Sequence, residues 1–229
     1  MLNIGAIRNQ TRTLTFDCYG TLIDWEGGLT MSFSDIFGPD VLNRRRELFE
    51  AYVSIEAELE SGPYLCYREI LHEVTHRLGN QFGWALTKEK CNQLGELLPT
   101  WTPFGDTNGA LARLKKKFRL GILSNIDRDL FAATAKHFPV TFDFIVTAQD
   151  VQSYKPSMGH FRRMLEQHGD VASTLHVAQS QFHDGRPANA LGLAFAWINR
   201  YNDPADRGVK ANGVFPSLAA LADELLGTA

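Results

Sequence analysis

The chain has 229 residues, 44% of them hydrophobic and 21% charged, with a formal net charge of -3. That is enough for one large domain or two modest ones, and the weakly acidic balance offers no field that would gather nucleic acid. Three widely spaced cysteines, Cys18, Cys66 and Cys91, form neither a disulfide framework nor a zinc spacing, and no run reaches the ~18 apolar residues of a membrane span.

Residues 12–16 read as a short buried strand that runs into Asp17-Cys18-Tyr19-Gly20-Thr21, and 17–24 as its loop. From Trp25 to about Pro103 the pattern is helical. Helices are expected over 44–59, where Leu48, Phe49, Tyr52, Val53, Ile55 and Leu59 follow a 3.6-residue period, over 67–78 with Gly79 as C-cap, and over 87–98 with Thr87 as N-cap. After Pro103 strands and helices alternate. Helices are expected over 106–117, 127–137, 157–168, 186–191 and 217–226, and strands over 119–124, 142–148, 174–178 and 194–198. The basic Lys115-Lys116-Lys117 suits the C-terminal end of its helix better than a nucleic-acid patch.

Strands separated by helices imply a doubly wound parallel sheet, an α/β core of Rossmann type. The first strand joins that sheet across a helical insertion. The expected division is a core of 1–24 and 104–229, with an all-helical cap of 25–103. The first ten residues lack the apolar stretch of a secretory signal, so a cytoplasmic protein with reduced cysteines is expected.

In an open α/β sheet the carboxyl ends of the strands hold the ligand. Four stretches end strands here: Asp17–Thr21, Ser124-Asn125, Lys155-Pro156 and the segment around Asp184. Taken singly, each has an ordinary reading as a turn or a helix cap. Together they supply a carboxylate nucleophile, hydroxyl and amide donors, an ammonium and a second carboxylate. That set suits attack by a carboxylate and hydrolysis of the resulting ester, with the lysine holding the nucleophile ionised and Ser124 and Asn125 donating to an anionic group. His183, beside Asp184, is a proton shuttle or a capping residue. Trp25 walls the pocket or packs between core and insertion.

The order FDCYGT, LSN, SYKP and HDGRPANA resembles motifs I to IV of the haloacid dehalogenase superfamily, over nearly the whole chain. The resemblance implies Asp17 as nucleophile, Thr21 and Ser124 as positioning groups, Lys155 as the motif III lysine and Asp184 as the motif IV acid. The phosphatase branch carries a second aspartate two residues after the nucleophile, where Tyr19 stands, and a Gly-Asp pair in motif IV, where Ala178-Gln179 stands. Tyrosine is a poor proton donor near neutral pH, and glutamine is a weak ligand for a hard cation. D-x-Y-G-T is similar instead to the L-2-haloacid dehalogenases, which need no metal, since a departing halide needs no proton.

Three departures concern the substrate pocket. The dehalogenase arginine that cradles halide has no counterpart in 48–59, although Arg44, Arg45, Arg46 and Arg68 are nearby. The tyrosine six residues after the motif III lysine is Phe161, and S-x-N-x-x-D reads Gln179-Ser180-Gln181-Phe182-His183-Asp184. The longer similarity looks like a subgroup that includes an azetidine-2-carboxylate hydrolase.

The expected function is a hydrolase with an aspartyl-ester intermediate on a small 2-substituted carboxylate. The alternatives are a Mg²⁺-dependent phosphatase and a non-catalytic binding protein. Catalytic candidates are Asp17, Lys155 and Asp184; substrate-binding candidates are Cys18, Tyr19, Thr21, Ser124, Asn125, Gln181, His183, Arg68 and Trp25. No cofactor is expected; a Mg²⁺ ion would fall to Asp17, the backbone of Cys18 or Tyr19, and Asp184. The expected partners are a small carboxylate and water, without nucleic acid or membrane. Phe33, Ile36 and Phe37 serve either a homodimer or the core.

Overall fold

The computed structural model describes residues 4–227; residues 1–3 and 228–229 of the expected core range lie outside the described residues. After a short helix α1 (Ile4–Ile7) comes β1 (Thr13–Phe16), then four helices: α2 (Trp25–Phe37), α3 (Arg45–Ser61), α4 (Tyr67–Phe82) and α5 (Lys88–Leu97). The chain continues with α6 (Thr107–Leu114), β2 (Arg119–Ser124), α7 (Arg128–Thr134), β3 (Phe144–Thr147), α8 (Ala148–Val151) and α9 (Gly159–Gln167). It closes with β4 (Thr174–Ala178), α10 (Arg186–Ala190), β5 (Ala194–Ile198), β6 (Gly213–Phe215) and α11 (Leu218–Leu226).

The six strands form one parallel sheet in the order β3-β2-β1-β4-β5-β6. The order reverses at β1, which has β2 on one side and β4 on the other. Such a switch point opens a crevice at the carboxyl ends of the strands. Side chains alternate across the sheet with period two. Leu14, Phe16, Leu120, Ile122, Leu175 and Val177 enter the larger core, while Leu123, Phe144, Val146, Phe161 and Phe195 form a second core. Both faces are therefore covered, which is why these strands read as near-continuous apolar runs.

Strands β2, β4 and β5 fall at their expected limits, the other expected elements shift at their ends, and three differences have a clear local origin. Helix α4 runs past Gly79 to Phe82 and is capped by Gly83, at φ 76°. Gly79 is buried inside the helix because Leu86 packs there, and a Cβ would stand 2.7 Å from its methyl. The expected helix over 106–117 ends at Leu114, with Lys115 turned to Asp143 at 2.6 Å. Strand β6 is only three residues long, too short to carry a visible alternation.

The chain leaves and re-enters the sheet region through paired segments. Ile23 bridges Pro103 antiparallel, and Asp24 N–H donates to Thr102 O at 2.9 Å. Helices α2 to α5 thus begin and end at one place, above the strand ends. Asp127, on the sheet side, accepts from the backbone N–H groups of Tyr67 and Arg68 at 2.9 Å each. It satisfies the open first turn of α4, a bond that orients this helix over the crevice. Phe33 and Ile36 are buried in the larger core and Phe37 packs against it, so these residues serve the interior. No described helix is long and apolar enough to cross a membrane.

Candidate active site

Asp17 directly follows the last residue of β1. Gly20 makes the turn behind it at φ 91°, a left-handed conformation that only glycine adopts without strain, and a Cβ there would lie 3.1 Å from the Trp25 ring. The turn brings Thr21 back under the carboxylate, where its hydroxyl donates to Asp17 Oδ2 at 2.8 Å and accepts from Gln179 N–H at 2.9 Å.

Lys155 lies between Asp17 and a second carboxylate. Its Nζ donates to Asp17 Oδ1 at 2.9 Å, to Asp184 Oδ1 at 2.6 Å and to Leu123 O at 2.8 Å. All three ammonium hydrogens are therefore engaged. Asn125 clamps the lysine backbone from both sides: its Oδ1 accepts from Lys155 N–H at 2.7 Å and its Nδ2 donates to Lys155 O at 3.1 Å. Asp17, Lys155 and Asp184 are 8%, 2% and 1% exposed. An isolated charge at that depth is very unfavourable, so the three groups depend on one another.

Their titration follows from the geometry. Burial pushes the Asp17 carboxyl up from its ordinary 3.8, against the pull of Lys155. Burial acts the same way on Asp184, but Lys155 and His176 outweigh it and hold that carboxyl down at about 2. Burial works to lower the Lys155 pKa, yet its two carboxylate partners raise it. Of the two carboxyls that hold Lys155, Asp17 is the one that falling pH neutralises first.

These groups form the floor of a cavity of about 250 Å³. Tyr19, Trp25, Ser124, Asn125, Gln179, Ser180 and His183 also line it. The Ser124 hydroxyl and Asp184 Oδ2, both buried on residues that line the cavity, have no hydrogen-bond partner. The Tyr19 hydroxyl bonds Thr134 at 2.8 Å, and burial raises its pKa well above 10. It is no proton donor for the cavity. His183 bonds Ser180 through both backbone and ring, at 3.0 and 3.2 Å, and burial lowers its pKa. Trp25 both lines the cavity and packs on Phe49 and Tyr52, at centroid distances of 5.7 and 6.4 Å.

Four candidates from the sequence do not reach the cavity as free groups. Cys18 is fully buried in the larger core, because the residue after Asp17 points to the opposite side. Thr21 is fully buried beneath Asp17 and acts on that carboxylate, not on a ligand. Gln181 bonds the loop carrying Pro204 and Asp206. Arg68 turns outward to Asp129 at 2.6 Å, with 46% of its side chain exposed. Arg44, Arg45 and Arg46 pair with Glu47, Glu26 and Glu50 on the helix surfaces.

The opposite wall holds residues that the sequence did not single out. Tyr52, Glu56 and Glu60 of α3 and Tyr67 of α4 face the floor. Both tyrosine hydroxyls donate to Glu56 Oε1, at 2.7 and 2.6 Å, and Asn125 Nδ2 lies 3.4 Å from Glu60. Burial raises both glutamate pKa values, in Glu60 well above 4.5 with the Glu56 charge adding to the rise. Among the described residues no arginine lines the cavity, and the lysine that does, Lys155, is fully engaged. The spacing of Tyr52, Glu56 and Glu60 is one helix face, but only burial distinguishes it from a solvated one.

A Mg²⁺ ion asks for about six oxygen donors. Among the described residues, no group of three or more His, Cys, Asp or Glu side chains is placed to hold a metal. Both oxygens of Asp17 already accept a hydrogen bond, Gln179 Nε2 donates to Asp203 at 3.1 Å, and among the described residues Asp184 Oδ2 is the one carboxylate oxygen of this floor without a partner. The donor set does not fit the ion.

A family model described as haloacid dehalogenase-like hydrolase matches residues 11–178. An (S)-2-haloacid dehalogenase of Pseudomonas putida is 24% identical over 222 residues, covering 94% of this chain and 96% of that protein. The structure of the L-2-haloacid dehalogenase from Xanthobacter autotrophicus superposes with a TM-score of 0.84 at 18% identity, covering 96% of this chain and all of the other. The magnesium-bound putative HAD-hydrolase YfnB of Bacillus subtilis superposes with a TM-score of 0.80, also at 18% identity, over 94% of this chain and 98% of that one. At such identities the two superpositions speak for the fold.

Proposed function

The chain belongs to the haloacid dehalogenase-like hydrolases, and within that family we propose that it hydrolyses a small 2-substituted carboxylate through an ester on Asp17. In this reading an Asp17 oxygen bonds to the α-carbon as the leaving group departs with its electron pair, and water then cleaves the ester at Cγ of Asp17. Lys155 keeps the nucleophile ionised and oriented. The free Ser124 hydroxyl donates to the substrate carboxylate. The aromatic surfaces of Trp25 and Tyr19 restrict water around it.

The observation that carries the reading is Tyr19. It stands where a phosphatase keeps its general acid, and its hydroxyl is tied to Thr134. Chemistry at this floor therefore favours a leaving group that needs no proton from that side. The similarity to (S)-2-haloacid dehalogenases supports the same class.

The wall favours a second leaving group. Halide departs as an anion, and among the described residues the cavity offers it two glutamates and no free cation. A protonated amine, as in the strained ring of azetidine-2-carboxylate, favours the ionised form of Glu56 and Glu60 against their burial and pairs with them instead. The test is a panel of (S)-2-chloropropionate, L-azetidine-2-carboxylate and a phosphate monoester, each with EDTA and with Mg²⁺. Turnover of one of the carboxylates, unchanged by EDTA, is expected. Phosphate release strictly dependent on Mg²⁺ would overturn the proposal.

A further inference from the structure

His176 occupies a slot suited to an aromatic ring. It is fully buried on β4, with the Phe161 ring edge-on at 4.9 Å and the Phe195 ring at 6.3 Å. A phenylalanine would need no hydrogen bonds there. A histidine brings two ring nitrogens that each need a partner in a dry site. Both have one. Thr15, its register partner on β1, stands 2.9 Å from Nδ1, and Asp184 Oδ1 stands 2.9 Å from Nε2. An ionised carboxylate only accepts, so Nε2 carries the hydrogen and Nδ1 accepts from the Thr15 hydroxyl.

The result is an unequal division of the Asp184 carboxylate. Oδ1 receives two donors, His176 Nε2 and Lys155 Nζ. Oδ2 receives none and is buried, on a residue that lines the cavity. We propose that His176, oriented by Thr15, is a positioning residue that anchors Asp184 through Oδ1 and leaves Oδ2 as the proton acceptor for the hydrolytic water. The inference rests on the aspartyl-ester reading. The water oxygen bonds to Cγ of the Asp17 ester while its proton passes to Oδ2. The bond from Cγ to the product oxygen then breaks, and Asp184 returns the proton to that oxygen. Asp17 is left as the acid and ionises to solvent.

Ester formation uses Asp17 and Lys155, neither of which touches His176 through a hydrogen bond. Ester hydrolysis uses the group that His176 holds. His176→Phe therefore lowers kcat and KM together, about 10- to 100-fold, while kcat/KM stays within about twofold. The Asp17 ester accumulates and is read by peptide mass. His176→Gln, which restores an N–H donor, recovers several-fold in kcat.

The probes are (S)-2-chloropropionate and L-azetidine-2-carboxylate, whichever the wild type turns over. Wild-type enzyme that never forms an ester would remove the underlying reading. Wild-type ester together with unchanged kcat in His176→Phe, or with kcat/KM falling in step with kcat, would overturn the role of His176. Should His176→Phe fail to fold, Thr15→Val gives the same readout, with a fall of about threefold or more in kcat at constant kcat/KM expected and no change contradicting it.

Discussion

The floor and the wall of the cavity are built by opposite means. On the floor, Asp17, Lys155 and Asp184 come from three separated segments and are locked by bonds at 2.6–2.9 Å. Each position is over-determined, as chemistry that tolerates little displacement requires. On the wall, Tyr52, Glu56 and Glu60 share one face of α3 and meet Tyr67 from α4. One helix can be rewritten without disturbing the sheet. On the proposed reading the difference teaches that reaction type belongs to the strand ends and substrate choice to the helices laid over them.

The largest expected effect breaks the floor. Asp17→Asn removes the proposed nucleophile and should lower turnover by about 10⁴-fold or more, with the fold unchanged by circular dichroism. Lys155→Met leaves two buried carboxylates without their shared cation. It should cost activity heavily and destabilise the protein by roughly 3–5 kcal/mol in urea unfolding.

Changing the wall should alter preference instead of chemistry. Glu56→Gln combined with Glu60→Gln removes both carboxyls of the wall. The ratio of kcat/KM for an ammonium-bearing carboxylate over a simple 2-halo acid should fall about tenfold or more. An unchanged ratio would mean that these glutamates do not select the substrate.

Acid should separate activity from stability. Asp17 has a raised pKa, so its carboxylate is neutralised above the ordinary 3.8 as pH falls, and kcat/KM should drop there. Asp184 has a depressed pKa of about 2. Its contribution to stability is complete above the ordinary carboxylate range and is lost only as pH falls toward that value. Activity should therefore fail at higher pH than ellipticity does. The smallest effect belongs to Arg68→Ala, which cuts an exposed pair with Asp129 and should change stability by no more than about 1 kcal/mol and leave kcat/KM unchanged.

The same contrast explains what could be read in the sequence. The strands of the sheet are apolar runs bounded by turns, and Asp17, Lys155 and Asp184 each follow one in order. Asp17 stood out because a charged residue at the end of a buried strand is unusual, and Lys155 and Asp184 because they follow later strands in the loops beyond them. The wall was not legible. Glu56 and Glu60 sit on a helix whose charge pattern matches a solvated face, and only the way α3 lies over the strand ends buries them. His176 hid inside Thr174–Ala178, which reads as an ordinary buried strand. Arg68 was drawn in by its charge, although the bond from its backbone to Asp127 turns the side chain outward.

The measurement closest to the centre is a single turnover in ¹⁸O-water, with the Asp17 peptide analysed by mass. Attack of water on Cγ of an Asp17 ester puts ¹⁸O into that peptide and leaves the first-turnover product unlabelled. Label in the product alone, with none in the peptide, would mean that water attacks the substrate directly and that Asp17 is not the nucleophile.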